Sequence, residues 1–348
     1  MASSLISKDL NYAAKVKRYG EVQMKWVAKL AVQRAISPLP NSHEINHIFQ
    51  RHVSRRLPTT DKHLLKKAGW ARAHLAAHER NAGLPLSRVH AYEFGGGWDL
   101  AVPLCYWAAG INRQTIIDIA SHLRLDMLEH SLQRFSVLHS ELEDALERPL
   151  RRIESVPLTT ISDLESNFGI EYLAPRDARC TGFESGTFDL ITSSDTLEHI
   201  RADDLPPILR ECGRLLSSTG IMSHMVDMMD HYRYVDRSIT VYNFLKFSNQ
   251  QWRLLNSPIE PQNRLRISDY RTLLEASELT ILEEDLRRPT DADISSLANM
   301  KIARAFANYS IEDLGAKSVR FTAVSGRDQS PTVDGSPGAD DDRDLRQG

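Results

Sequence analysis

An α/β fold built on a doubly wound, seven-stranded sheet is what this 348-residue sequence predicts, and three observations carry the expectation. From residue 89 onward, short apolar runs rich in β-branched and aromatic residues alternate with helical stretches, which is the pattern of a sheet covered by helices. The first run, Val89-His90-Ala91-Tyr92-Glu93-Phe94, ends in three consecutive glycines, and a helical stretch at 100–109 follows at once. A second run at 115–119 then comes at the spacing of a right-handed βαβ unit, which sets the two strands parallel.

The remaining elements follow in order. Ahead of the sheet, helical periodicity covers 11–36, 43–57 and 61–82, with Thr60 or Asp61 as the cap of the last and the Pro-rich stretch 37–42 as a breaker. After the second strand come a long helical stretch at 121–147 and a short helix at 160–167, then strands at 169–173 and 187–193. A helix at 203–216 tolerates Pro206 and Pro207 in its first turn. Strand 220–227, helix 268–278 and strands 279–285 and 318–325 complete the sheet. The chain therefore divides into a basic helical region at 1–85 and an α/β domain at 86–326 with a helical insertion at 121–168 and a lid-like segment at 228–267. A tail at 327–348, too polar to bury itself, is expected to be disordered.

Composition narrows the setting. No apolar run is long enough to cross a bilayer, and the opening ten residues lack the basic-then-apolar order of a secretory signal. Cys105, Cys180 and Cys212 are far apart, which offers neither a disulfide framework nor a zinc pattern; a cytoplasmic location and no metal are expected. Residues 1–80 carry 15 Lys and Arg against 5 Asp and Glu. Such an excess reads either as a solvated helix face or as a weak contact with anionic membrane surface through residues 1–40. Nucleic acid is not expected as a partner, because the excess lies outside the α/β domain and carries no recognition motif.

The turn Glu93-Phe94-Gly95-Gly96-Gly97 is the most informative stretch, since glycine lets a backbone bend this tightly and approach a ligand. Asp118 follows about 21 residues beyond Gly97 at the tip of the second strand, where a carboxylate can accept both hydroxyls of a ribose. A dinucleotide fingerprint would need a small residue where Leu100 stands, so pyrophosphate is disfavoured. Glu93 repels phosphate and attracts an ammonium group, which suits a nucleoside carrying a sulfonium and an amino acid.

With these residues in place the chain resembles the class I S-adenosylmethionine-dependent methyltransferases, in particular bacterial methyltransferase-domain proteins whose fourth strand leads into Leu-Glu-His. The resemblance spans roughly 89–286 and rests on Glu93 to Gly97, on Ala174-Pro175-Arg176-Asp177-Ala178 leading into Gly186-Thr187-Phe188-Asp189-Leu190, and on Ser194-Asp195-Thr196-Leu197-Glu198-His199-Ile200. It implies a Rossmann-like methyltransferase sheet and S-adenosyl-L-methionine as cofactor. It further implies that Glu93, Gly95 and Gly97, with Gly96 between them, surround the methionine part. Asp118 would hold the ribose, Asp177 and the backbone of Ala178 would meet the adenine amine, and Ser194 and Asp195 would lie beside the cofactor. Where the family carries a further small residue, this chain has Trp98-Asp99, so the loop is expected to be reshaped.

Methyl transfer from a sulfonium is an in-line displacement, so the protein must chiefly align the groups and exclude water. A hydroxyl acceptor needs its proton taken, and His231, just after the fifth strand, is the candidate base, with Asp230 as a candidate partner. A loop-bonding role for His231 stays open beside the catalytic one; His199 and His224 read as structural. The segment at 228–267 carries Tyr234, Tyr242, Phe244, Phe247, Trp252, Arg264 and Arg266, a set that suits a small-molecule or glycan acceptor, while Phe244, Leu245 and Trp252 also read as the core of a helical cap. O-methylation is the leading expectation, N-methylation and an inert binding module the alternatives.

Overall fold

The computed structural model describes residues 25–39, 58–154 and 158–326. The helix expected at 43–57, most of the membrane contact expected of 1–40, and the tail at 327–348 lie outside these residues.

Seven strands, β1 (His90–Phe94), β2 (Arg113–Ile117), β3 (Ile170–Leu173), β4 (Phe188–Ser194), β5 (Leu216–Asp227), β6 (Leu279–Arg287) and β7 (Ser318–Ser325), form one sheet in the order β3-β2-β1-β4-β5-β7-β6. Strands β1 to β5 pair parallel, as the βαβ spacing requires. The last strand enters between β5 and β6 and runs antiparallel to both. All five residues of β1 are buried, because helices cover both faces of the sheet there; this is why the strand reads as an unbroken apolar and aromatic run. The strand order reverses between β1 and β4, so the carboxyl ends of these two strands form the crevice where an open α/β sheet binds its ligand.

The described helices are α1 (Lys25–Ile36), α2 (Asp61–Asn81), α3 (Ala101–Ala109), α4 (Leu125–Val137), α5 (His139–Leu146), α6 (Asp163–Phe168), α7 (Leu205–Leu215), α8 (Asn249–Leu255), α9 (Ile267–Ala276), α10 (Asp291–Ala298) and α11 (Ile311–Gly315). Thr60 caps α2 by accepting the His63 N–H. The stretch expected as one helix at 121–147 is two, α4 and α5, meeting at Leu138.

The division expected at residue 85 does not separate two packed bodies. Leu64, Ala68, Ala71 and Leu75 make one buried stripe along α2, and they join Leu100, Leu104 and Leu128 in the core on one face of the sheet. The two alanines keep that stripe flat enough for α2 to lie close to its neighbours. Basic residues of α1 and α2 are bound by acids further along the chain: Lys29 by Glu260, Lys67 by Asp99, Arg72 by Glu147 and Arg80 by Glu283.

The opposite face of the sheet is filled by α7 and α9, through Leu205, Leu209, Leu215, Tyr270 and Leu274. A third core lies beyond the strand tips. There the segment 228–267 contributes Tyr232, Tyr242, Phe244, Leu245 and Trp252, and Leu30, Leu297 and Phe306 pack with them. The expected lid is thus a built cap with its own core.

Candidate active site

The glycine turn is shaped by the protein as much as by a ligand. Gly95 has φ +78°, and a Cβ there would stand 2.5 Å from Thr196 Cγ2; a Cβ on Gly96 would stand 2.6 Å from Ile116 Cγ2. Gly97 differs: its φ is +71°, and nothing lies within 4 Å of a Cβ built on it. Two of the three glycines therefore answer to packing, and the third faces open space.

Asp99 has a clear task. It is buried, and Lys67 Nζ of α2 donates to its two oxygens at 2.7 and 2.9 Å. Thr59 donates to it as well, and the Ala101 N–H at the start of α3 donates to Oδ1 at 3.2 Å. Burial alone would raise the Asp99 carboxyl, but Lys67 and these hydrogen bonds hold it below the usual range. This ion pair ties the turn to α2.

Glu93 sits at the end of β1 beneath the turn and is 3% exposed. Burial pushes its carboxyl up to about 8, against the Thr192 hydrogen bond and the charge of Lys67. Such a group resists standing alone as an anion and gains from a cation brought to it. Asp118, just past β2, is also buried; burial raises its carboxyl, and His122, 3.9 Å away, with nearby backbone N–H groups pulls the other way. The Ala120 N–H donates to Oδ1 at 3.5 Å, and the N–H groups of Gly97 and Ile119 also lie close to this carboxylate. Trp98 lies against His122 with ring centroids 5.0 Å apart. The open space at Gly97 and the Asp118 carboxylate beside it fit a nucleoside with a cationic amino acid arm.

The other expected positions divide. Asp177 is held by its neighbour Arg179, whose guanidinium donates to both carboxylate oxygens at 2.7–3.1 Å and whose second arm reaches Asp204 at 2.8 Å; Ala178 packs at the margin of the core behind β1. Any contact from Asp177 to an adenine amine must use the lone pairs left by Arg179. Ser194 Oγ lies 3.1 Å from His74 Nε2 and thus turns toward α2. Asp195, with φ +49°, faces the cavity described next; burial first and then Asp227 raise its carboxyl to about 6, while Lys66 at 3.8 Å pulls it down.

A cavity of about 750 Å³ opens between the strand tips and the cap. Trp98, Asp99, His122 and Asp195 line it on the sheet side, Tyr232, Trp252 and the loop 256–262 on the cap side, and Lys66, Lys67 and Trp70 from α2. His231 and Asp227 form one corner. Asp230, the partner suggested by adjacency, instead caps its own turn by accepting the Tyr232 N–H at 2.8 Å. The acid beside His231 is Asp227, whose Oδ2 stands 3.5 Å from His231 Nε2 and accepts the Tyr234 hydroxyl. An i, i+4 pair of this kind was visible in the sequence; Lys67 with Asp99 was not, because 32 residues separate them.

His224 packs within the sheet, whereas His199 is held by the cap and lines the cavity. His224 Nδ1 meets Ser193 Oγ at 2.9 Å inside the sheet, and burial lowers its ring to about 4. His199 Nδ1 meets the Pro261 carbonyl at 2.8 Å, and burial lowers its ring to about 4 as well. Arg264 and Arg266 do not face an acceptor. Both are buried in the cap, Arg264 donating to the carbonyls of Phe244 and Phe247 and Arg266 to those of Met228 and Ala316.

Residues 160–223 match a family model described as a methyltransferase domain, a stretch running from α6 through β3, β4 and α7 into β5. The sheet order and the glycine turn agree with this match, which covers about a fifth of the chain, in pointing to a methyltransferase of Rossmann-like fold. No curated protein matches the chain. Among solved structures it is similar to an S-adenosylmethionine-dependent methyltransferase from Clostridium acetobutylicum, with 13% identity over 82% of this chain and 98% of that one and a TM-score of 0.43. It is also similar to an S-adenosylmethionine-dependent methyltransferase from Mesorhizobium loti (16% identity, 74% and 97% covered, TM-score 0.39) and to geranyl diphosphate C-methyltransferase from Streptomyces coelicolor A3(2) (11%, 72% and 77%, 0.40). Overlaps this loose carry no argument about the acceptor. Among the described residues no helix is long and apolar enough to cross a membrane.

Proposed function

We propose that the chain methylates an oxygen of a small molecule or carbohydrate held in the cavity between the strand tips and the cap. The observation that carries this reading is the position of the cavity, which has Trp98, His122 and Asp195 of the crevice on one side and the His231–Asp227 corner on the other. In this reading Glu93, Gly95 and Gly97 surround the methionine arm, Asp118 takes the ribose, and Asp177 with Ala178 borders the adenine. The cofactor supplies the methyl group; the chain holds donor and acceptor in line and removes water, and its cap of Tyr232 and Trp252 closes one side of the space. A hydroxyl acceptor must lose its proton, and the corner at His231 is where the cavity wall can draw it off.

Asp195 and Asp227 on the wall favour a second reading, an amine acceptor drawn in as an ammonium ion. The two separate cleanly, since an amine needs no strong base: a His231→Ala variant retaining nearly full turnover supports N-methylation. The cofactor reading is tested by calorimetry with S-adenosylhomocysteine. Wild type should bind it, and Asp118→Ala, losing charge-assisted bonds of about 1.5–3 kcal/mol each, should bind at least about tenfold more weakly. Equal binding by the two proteins removes the ribose assignment, and no binding by wild type removes the reading as a whole.

A further inference from the structure

Where β4 leaves the sheet, three side chains from two parts of the chain converge. Glu198 and His199 lie in the single turn Leu197–His199 after β4, and His231 opens the turn after β5. One ligand-type atom from each lies within 4.8 Å of the others. On the same residues Glu198 Oε2 and His231 Nε2 are buried with no hydrogen-bond partner, and Asp227 Oδ2 stands 3.5 Å from the second. Glu198 Oε1 accepts the Asp227 N–H at 3.3 Å, and the Glu198 side chain is 2% exposed. An unpaired carboxylate oxygen this deep is costly unless something meets it.

The turn is also braced as a ligand support would be. Asn263 Nδ2 donates to the carbonyls of Leu197 and Ile200 at 2.8 and 2.9 Å, and the Asn263 N–H donates to that of Glu198 at 2.7 Å. His199 Nδ1 faces the Pro261 carbonyl, which can only accept, so in the neutral ring Nδ1 carries the hydrogen and Nε2 keeps its lone pair. Gln262 accepts the His231 N–H at 3.2 Å and donates to Met229 at 2.6 Å, which fixes the second turn. A carbonyl-oriented imidazole beside a braced carboxylate is how metal-binding side chains are held.

We propose that Glu198, His199 and His231 bind a first-row divalent cation at the floor of the cavity, and that this cation takes the acceptor oxygen. Two imidazoles and one carboxylate suit Zn²⁺, Mn²⁺, Fe²⁺ or Co²⁺ better than Mg²⁺ or Ca²⁺. Ligand atoms about 2.1 Å from one ion stand roughly 3–4 Å apart, so closing the site needs only small side-chain rotations. Asp195 and Asp227 beside it add negative charge, and His199, His231 and Asp227 all line the cavity. The cation's role rests on the methyltransferase reading; the binding site does not. In that role an acceptor hydroxyl bound to the cation becomes more acidic and releases its proton to water. The oxygen lone pair then forms the new C–O bond as the methyl carbon leaves sulfur, and the S–C electron pair stays on sulfur. In that role His231 is a ligand of the cation, an alternative to its taking the acceptor proton itself.

The test uses the full chain, stripped with a chelator and titrated with Co²⁺ or Mn²⁺. Wild type should take up one equivalent, with visible Co²⁺ bands from nitrogen and oxygen ligands. His199→Ala, His231→Ala and Glu198→Gln should each bind about 100-fold more weakly or worse. Pulsed electron resonance on Mn²⁺-loaded wild type should show coupling to imidazole nitrogen, a result that stands even where a variant fails to fold. No stoichiometric binding by wild type, no nitrogen coupling, or unchanged affinity in all three variants overturns the site. Calorimetry of the metal-free chain with S-adenosylhomocysteine reads the other proposal alone: heat there without cation binding refutes the cation site only, and cation binding without that heat refutes the methyltransferase role only.

Discussion

Replacing Gly95 and Gly97 singly by alanine separates what the turn owes to the protein from what it owes to a ligand. Both residues have φ near +75°, at +78° and +71°, a region that costs an L-residue about 1–2 kcal/mol. Gly97→Ala carries that cost and no more, because nothing lies within 4 Å of the new Cβ. Gly95→Ala adds a collision, with Thr196 Cγ2 at 2.5 Å and Thr196 Oγ1 at 2.7 Å. The threonine cannot simply swing away, since its hydroxyl donates to the Ser194 carbonyl at 3.2 Å within the turn that leaves β4. Overpacking of this kind costs a further 1–3 kcal/mol or so. Urea unfolding should therefore place Gly95→Ala below Gly97→Ala by about 1–3 kcal/mol. S-adenosylhomocysteine binding should be weakened in Gly97→Ala, whose added methyl occupies the open space. Equal unfolding free energies for the two variants would refute the claim that the first glycine is demanded by packing.

Two further outcomes follow from buried charge. His74 bridges Ser223 at 2.7 Å and Ser194 at 3.1 Å, and burial first, then the charges of Arg320 and His224, lower its ring from 6.5 to about 3. Its folded form stays neutral while the unfolded chain takes up a proton below pH 6.5, so this residue's contribution is lost as pH falls from 6.5 toward 3, at up to about 1.4 kcal/mol per pH unit. A His74→Gln variant should show a shallower acid limb in unfolding free energy between pH 6.5 and 4.5; an unchanged slope counts against the assignment. Lys67→Met leaves Asp99 buried without its cation, and thermal or urea unfolding should show a loss of about 3–5 kcal/mol, which the double variant with Asp99→Asn should partly recover. No loss in the single variant would mean that Asp99 is hydrated or protonated without it.

The sheet was legible because its signals are local. The aromatic run ending in glycines, the second strand with Asp118 at its tip, and the two prolines opening α7 each declare an element within a few residues. Direction of pairing is not local, so nothing in 318–325 announced that β7 runs antiparallel between β5 and β6. The role of α2 was hidden by its composition: Ala68 and Ala71 are weak hydrophobic markers, and the basic residues around them suggested a solvent face. Arg264 and Arg266 were read as facing an acceptor because arginines are usually exposed, whereas here backbone carbonyls of the cap surround them. The Glu198, His199 and His231 cluster was out of reach, since it requires knowing that the ends of β4 and β5 lie side by side.

The place of β7 also bears on how the chain completes itself. In the finished sheet, β6 touches no other strand but β7, and β7 is the last strand of the described chain. Strands β1 to β5 can therefore pair as a parallel ribbon while β6 has nothing to join. Without the eight residues of β7, two rows of backbone donors and acceptors would stay unanswered, one along β5 and one along β6. The sheet is closed like an arch, by a piece that bears on both sides.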